Sequence, residues 1–240
     1  MEIFAHRGAS GTRPENTMPA FRKAAELPIA GIEFDIHLTA DGEPVVIHDE
    51  TVDRTTDGTG WVKDMTFAEI RKLDAGSWFS AEYEGERIPS LREVLELFHG
   101  TAHRLNIELK SDVLPYPGMR EKVIRLVREF GLEERVILSS FDHVTIREAK
   151  REAPEIETGV LFMEILADAP GYAASIGADA LHSAIPYAVR EPGIRAAATG
   201  SLIRVFTVNS REHAEWLRRS GARAIFTDYP EEMARLFSGD

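Results

Sequence analysis

Glu33 and Asp35 lie two residues apart in the run Ile32–Leu38, and Glu108 and Lys110 lie two apart in Leu105–Lys110. An extended strand turns residues i and i+2 to the same face, so each pair projects to one side. His6-Arg7 closes the run that begins at Ile3, and His48-Asp49 closes the run that begins at Val45. Three carboxylates gathered at neighbouring strand ends raise one another's pKa and lose solvation, and a divalent cation offsets both penalties. Their oxygen-only donor set favours one hard ion, Mg²⁺ or Ca²⁺, over zinc. Taken singly, each carboxylate reads better as a solvated strand-end residue. The shared inward register of Glu33, Asp35 and Glu108 favours the metal.

Arg7 and Lys110 put positive charge beside that cluster. Arginine's planar fork matches phosphate oxygens in pairs, and lysine acts as a point charge. Both can equally be ion-paired with the carboxylates, and the two roles are compatible. His6 and His48 supply two imidazoles, which near neutral pH can serve as general base and general acid, each step contributing about 10²–10⁴-fold. A lone histidine is more often a hydrogen-bonded structural residue. Two of them flanking an acidic cluster and two cations favour catalysis.

The elements that carry these residues alternate. Ile3–His6, Ile32–Leu38, Leu105–Lys110, Val136–Ser140, Thr158–Phe162, Ala178–His182, Ile203–Val208 and Ala224–Thr227 read as strands. Helical patterns lie between most of them. Thr17 is placed to cap a helix with Pro19 in its first turn, Met119–Phe130 has one apolar face and stops at Gly131, and Ser210 caps another. Alternating strands and helices imply parallel strands joined by right-handed crossovers, and eight such units in 240 residues point to a closed (β/α)₈ barrel of the TIM type. An open doubly wound sheet is the structural alternative.

Two places break the alternation. Val45-Val46-Ile47-His48 follows Leu38 too closely for a parallel crossover and reads as an antiparallel hairpin arm. The stretch from Asp49 to Pro89 then lacks a βα unit and reads as an insertion over one end of the barrel, with a Thr66…Glu69 capping box inside it and a Ser90…Glu93 box restarting the pattern. No linker divides the chain, so residues 1–240 are expected to form one barrel domain.

A net charge of −12 argues against nucleic acid as a partner, although local cations in a cleft still permit a small anionic substrate. Cysteine is absent, which removes disulfides and thiolate chemistry and suits a reducing compartment. The opening MEIFAHRG lacks the basic start and apolar stretch of a signal peptide, and no transmembrane segment is expected, so the reading is cytoplasmic.

In chain order, His6-Arg7-Gly8, Pro14-Glu15-Asn16-Thr17, Ile32-Glu33-Phe34-Asp35, Asp41-Gly42, Val45 to Asp49, Arg54-Thr55-Thr56-Asp57-Gly58, Leu73-Asp74-Ala75-Gly76, Ile88-Pro89-Ser90-Leu91 and Asn106 to Lys110 form a series. It continues through Ser139-Ser140-Phe141, Val205 to Asn209 and Thr227-Asp228-Tyr229-Pro230. This series resembles the glycerophosphodiester phosphodiesterase family of phospholipase-C-like barrels. Each motif alone is weak; the ordered set is specific and spans nearly the whole chain. The resemblance implies Glu33, Asp35 and Glu108 as metal ligands, His6 and His48 as the acid/base pair, and Arg7 and Lys110 on the phosphate. It also implies that Glu15 and Asn16 brace Arg7 or the site, that Asp49 orients His48, and that the segment between Asp49 and Pro89 shapes the substrate pocket.

The chain departs from the family at Phe206, where tryptophan is common. Phe141 and Phe206 are expected either on the apolar side of the pocket or as ordinary core aromatics. His182 ends a predicted strand and is a lesser candidate for the site. His37 continues the register of Asp35, and His99, His103, His143 and His213 are expected to be solvated.

The expected reaction is hydrolysis of a small-molecule glycerophosphodiester to sn-glycerol 3-phosphate and an alcohol, by a monomer or homo-dimer. The attacking group is left open between water and the substrate's own 2-hydroxyl. The competing readings are a related diesterase of lysophospholipase D type, which needs an apolar acyl groove, and a barrel that binds phosphodiesters without cleaving them.

Overall fold

The computed structural model describes residues 1–237. Chain order begins β1 (Glu2–His6), α1 (Met18–Ala25), β2 (Gly31–Leu38), β3 (Pro44–Val46), α2 (Phe67–Ile70), α3 (Leu91–His99), β4 (Arg104–Leu109) and α4 (Met119–Glu129). It continues β5 (Val136–Ser140), α5 (His143–Glu152), β6 (Glu157–Phe162), α6 (Ala169–Ile176), β7 (Ala180–Ala184) and α7 (Ile185–Ala188). The last elements are α8 (Glu191–Ala198), β8 (Ile203–Phe206), α9 (Arg211–Arg219), β9 (Ala224–Thr227) and α10 (Pro230–Phe237).

Eight strands pair in parallel in the order β1-β9-β8-β7-β6-β5-β4-β2, and β1 pairs back onto β2. The sheet is therefore closed, a TIM barrel as the alternation predicts. Register sets the site: His6 sits beside Glu33, and Asp35 beside Glu108. β2 outruns β1, and β3 pairs antiparallel with the overhang at Ile36–Leu38. That hairpin arm delivers His48 to the mouth of the barrel.

Two large apolar clusters lie between the barrel and its helices. The first joins Phe34 and Ile36 of β2 and Leu105 and Ile107 of β4 to Leu95 and Phe98 of α3 and Val123 and Val127 of α4. A smaller cluster of Phe4, Ile137, Ala224 and Phe226 fills the barrel interior. Each fully buried Phe or Ile contributes about 1.5–3 kcal/mol relative to exposure. α3 begins with the Ser90/Glu93 capping box, and α4 ends at Gly131 with φ +63°, both as the sequence predicts.

Three local expectations are corrected. Thr17 stands at the N-cap of α1, but its hydroxyl donates to Pro14 O at 2.6 Å and leaves the helix uncapped by a side chain. The strand predicted at Ala178–His182 begins at Ala180. Ala178 and Asp179 are spent on the turn after α6, where the Asp179 carboxylate accepts from Thr158 N at 2.8 Å. His182 is consequently mid-strand. Strand β8 ends at Phe206, two residues before Val208.

Residues 49–89 contain two turns of 3-10 helix and α2, packed on a small core that includes Val45, Ile47, Val52, Val62 and Ile70. Asp74 ties this segment together, accepting from the backbone N–H groups of Gly76, Ser77 and Gly85 at 2.8–2.9 Å.

Candidate active site

Gly8 explains the first motif. It lies at φ +80°, and a Cβ there would meet Ala20 at 2.8 Å, so glycine alone fits. Arg7 just before it is also left-handed, at φ +55°. This turn at the end of β1 aims the Arg7 N–H at Glu33 Oε2, 2.9 Å away. Strained backbone of this kind persists where surrounding contacts over-determine it.

Glu33 and Asp35 on β2 and Glu108 on β4 offer oxygens that all lie within 4.8 Å of one another. Glu33 and Asp35 are buried and Glu108 nearly so. Burial and the charges of Asp35 and Glu108 push the Glu33 carboxyl well above its ordinary range. Burial and Asp35 likewise push Glu108 up to about 7, against the pull of Lys110. Burial would raise Asp35 too, but Arg7, His48, Lys110 and the Asn16 amide hold it at about 2. Three buried carboxylates, two of them reluctant to ionise, are a donor set that fits a hard divalent cation.

Each histidine is paired with an aspartate. His6 Nδ1 lies 2.6 Å from Asp228 Oδ1, and His48 Nδ1 lies 2.7 Å from Asp49 Oδ1. An ionised carboxylate only accepts, so both Nδ1 atoms donate, which leaves Nε2 of each ring as the atom turned to the site. His6 Nε2 stands 4.0 Å from Glu33 Oε2, and His48 Nε2 stands 3.5 Å from Lys110 Nζ. The two rings thus face the carboxylate cluster from different elements, one at the end of β1 and one beyond β3.

The cations are held by the acids. Lys110 Nζ donates to Glu108 Oε1 at 2.9 Å. Arg7 donates to Glu15 Oε1 at 2.8 Å, and its Nε is 3.5 Å from Asp35. Burial works against both charges, yet the surrounding carboxylates raise the pKa of each. Glu15 therefore braces Arg7, whereas Asn16 donates to Asp35 Oδ2 at 2.8 Å and braces the carboxylate cluster. Arg54 donates to both Asp49 and Glu15.

The polar residues His6, Arg7, Glu33, His48 and Glu108 share one pocket with the apolar Phe141, Leu161, Phe206 and Phe226. Phe141 and Phe206 meet edge to face with centroids 5.8 Å apart. His182 lies at the pocket's floor, fully buried, with Nε2 accepting from Arg204 at 3.0 Å. Burial and the neighbouring arginine push its pKa far down, so it is neutral. His37 is fully buried; its Nε2–H donates to His48 O at 3.0 Å, and Nδ1 faces the Tyr116 hydroxyl at 3.0 Å. His99 and His213 are exposed as predicted. His103 and His143 are half-buried instead, each bonded to a backbone carbonyl, of Leu27 and Leu161 respectively.

Sequence reasoning gave no role to Asp228, Asn209 or Arg54. Asp228 follows the end of β9 as His6 ends β1, so its strand-end position was the available signal. Asn209 Nδ2 and the Ser10 hydroxyl lie 2.5 and 3.0 Å from the Asp228 carboxylate. These partners and His6 hold its pKa below the ordinary value although burial opposes this. Arg54 lies in an irregular loop, where no periodicity marks it.

The model of the glycerophosphoryl diester phosphodiesterase family matches residues 6–232. A glycerophosphodiester phosphodiesterase of Caldanaerobacter subterraneus subsp. tengcongensis is 44% identical over 234 residues, covering 98% of this chain and 96% of that protein. The structure of an Oleispira antarctica phosphodiesterase in complex with the product sn-glycerol-3-phosphate superposes with a TM-score of 0.87 at 32% identity, over 99% of this chain and 97% of the other. A glycerophosphodiester phosphodiesterase structure from Agrobacterium tumefaciens gives 0.84 at 33% identity over the full length of both chains. Barrel and site together define a phosphoric diester hydrolase. The chain belongs to the glycerophosphoryl diester phosphodiesterase family.

Proposed function

We propose that the protein hydrolyses glycerophosphodiesters to sn-glycerol 3-phosphate and an alcohol, using His6 and His48 as the acid/base pair. The observation that carries this reading is the presence of two aspartate-bound imidazoles around one buried carboxylate trio. Glu33, Asp35 and Glu108 would hold one divalent cation, Mg²⁺ or Ca²⁺, which when bound supplies positive charge to phosphate oxygens.

The remaining chemistry belongs to the chain. Arg7 and Lys110 face the phosphoryl group and offset the charge that develops on it, the kind of electrostatic term that is usually the largest. One imidazole removes a proton through Nε2 from the attacking group, water or the substrate's own 2-hydroxyl, and the other delivers a proton to the leaving alcohol; after 2-hydroxyl attack, water opens the cyclic phosphate to give the same product. Asp228 and Asp49 accept from Nδ1 of the two rings, so Nε2 is the working atom of each, unprotonated on the base and protonated on the acid. Phe141 and Phe206 form an apolar wall against which the glycerol carbons pack, and the absence of cysteine suits a cytoplasmic enzyme.

A panel of diesters assayed across several divalent cations tests the reading. Turnover of glycerophosphocholine and glycerophosphoethanolamine in preference to lysophosphatidylcholine supports it. Preference for the acylated substrate would replace it with a lysophospholipase D activity, and binding without turnover would leave a silent phosphodiester-binding barrel.

A further inference from the structure

We propose that Arg54 is a positioning residue for this reaction, one guanidinium that holds the proton-transfer side and the phosphate side of the site in a single frame. The inference rests on the phosphodiesterase reading above. Arg54 Nε and one terminal nitrogen donate to the two Asp49 oxygens at 2.7 and 3.0 Å. Its two terminal nitrogens also donate to the two Glu15 oxygens, both at 2.8 Å. Asp49 in turn accepts from His48 at 2.7 Å, and Glu15 from Arg7 at 2.8 Å. The path His48–Asp49–Arg54–Glu15–Arg7 is continuous. Among the described residues, no other side chain is bonded to both carboxylates.

Only arginine can make this junction. Its five donors in a planar fork serve two carboxylates at once, whereas lysine offers a point charge. The backbone beneath it is fixed: Thr55 and Thr56 are buried, and the Thr56 hydroxyl donates at 2.7 Å to Val52 O in the insertion's small core. The Arg54 side chain itself is 44% exposed, where ion pairs add little to stability. Four ordered hydrogen bonds on an exposed arginine are better accounted for by what they hold. The insertion thereby does more than cover the barrel end, because it supplies the clamp between His48 on the hairpin arm and Arg7 on the first strand.

The test is steady-state kinetics on a glycerophosphodiester that the wild-type protein turns over. Arg54→Met is expected to lower kcat/KM by about 10–100-fold, the range seen when a supporting partner of a catalytic group is lost. Both kcat, through His48, and KM, through Arg7, should change. Added guanidinium should restore part of the rate of Arg54→Ala, while methylammonium should not. If Arg54→Met does not fold, Arg54→Lys serves, with an intermediate rate expected. Wild-type kinetics in these variants, or a lower melting temperature with kcat unchanged in the folded enzyme, would overturn the inference and leave the functional reading standing. A wild-type protein inert toward every diester removes both.

Discussion

Asp228 and Asp49 make the same bond to two different histidines, and neither aspartate is distinguishable by type from the chain's other acids. What makes His6 and His48 legible is their place after predicted strands beside Arg7 and the carboxylates; what hides Asp228 is that its partner lies 222 residues away in sequence. On the proposed mechanism, Asp228→Asn should lower kcat by about 10–100-fold with the fold retained, as loss of a ring-orienting partner does. His6→Ala and His48→Ala should abolish turnover while circular dichroism stays unchanged, and near wild-type rates in either would remove that residue from the pair. The carboxylate trio makes a pH prediction. Glu108, raised from 4.5 to about 7, and Glu33, raised well above 4.5, contribute stability below the unfolded value that is lost as pH rises through the folded one. Asp35, held at about 2, is ionised throughout that window. Without a cation the protein should therefore lose stability between about pH 5 and pH 8, and the rise in melting temperature on adding Mg²⁺ or Ca²⁺ should grow over the same interval. A cation effect independent of pH would contradict the assignment of these residues.

Elements place those side chains, and where sequence and structure differ the causes are local. β2 is legible because Glu33, Asp35 and His37 alternate with Phe34 and Ile36 in period two. The predicted start of β7 falls two residues early because Ala178 and Asp179 are compatible with a strand by composition, whereas the Asp179 side chain commits them to a turn. Thr17 shows the same limit, since its hydroxyl has a competing acceptor that only the folded chain brings near. Gly8→Ala tests the turn that follows β1. The positive φ and the contact with Ala20 predict a loss of at least about 1–2 kcal/mol in denaturant unfolding, together with reduced activity as the Arg7 N–H leaves Glu33. Ser90→Ala, which removes a capping box whose side chains bond each other and not the carboxylate trio, should cost about 1 kcal/mol with kcat unaltered.

At the scale of the whole molecule, the barrel is legible from counting eight alternating units, because closure demands that β1 return to β2 and the register then follows. The loop network is not, since Arg54 and Asn209 reach the site from segments without a period. Among the described residues no helix is long and apolar enough to cross a membrane. In a chain of net charge −12, Arg7, Lys110 and Arg54 put positive charge at the barrel mouth, where each is paired with carboxylates. The central claim is that this mouth cleaves a glycerophosphodiester on the alcohol side of phosphorus under the control of His6 and His48. Phosphorus NMR of glycerophosphocholine incubated with the protein and a divalent cation tests it most directly. The prediction is a growing sn-glycerol 3-phosphate signal matched by the loss of the glycerophosphocholine signal, absent in His6→Ala and His48→Ala. Phosphocholine as the product, or the same signal from both variants, would contradict it.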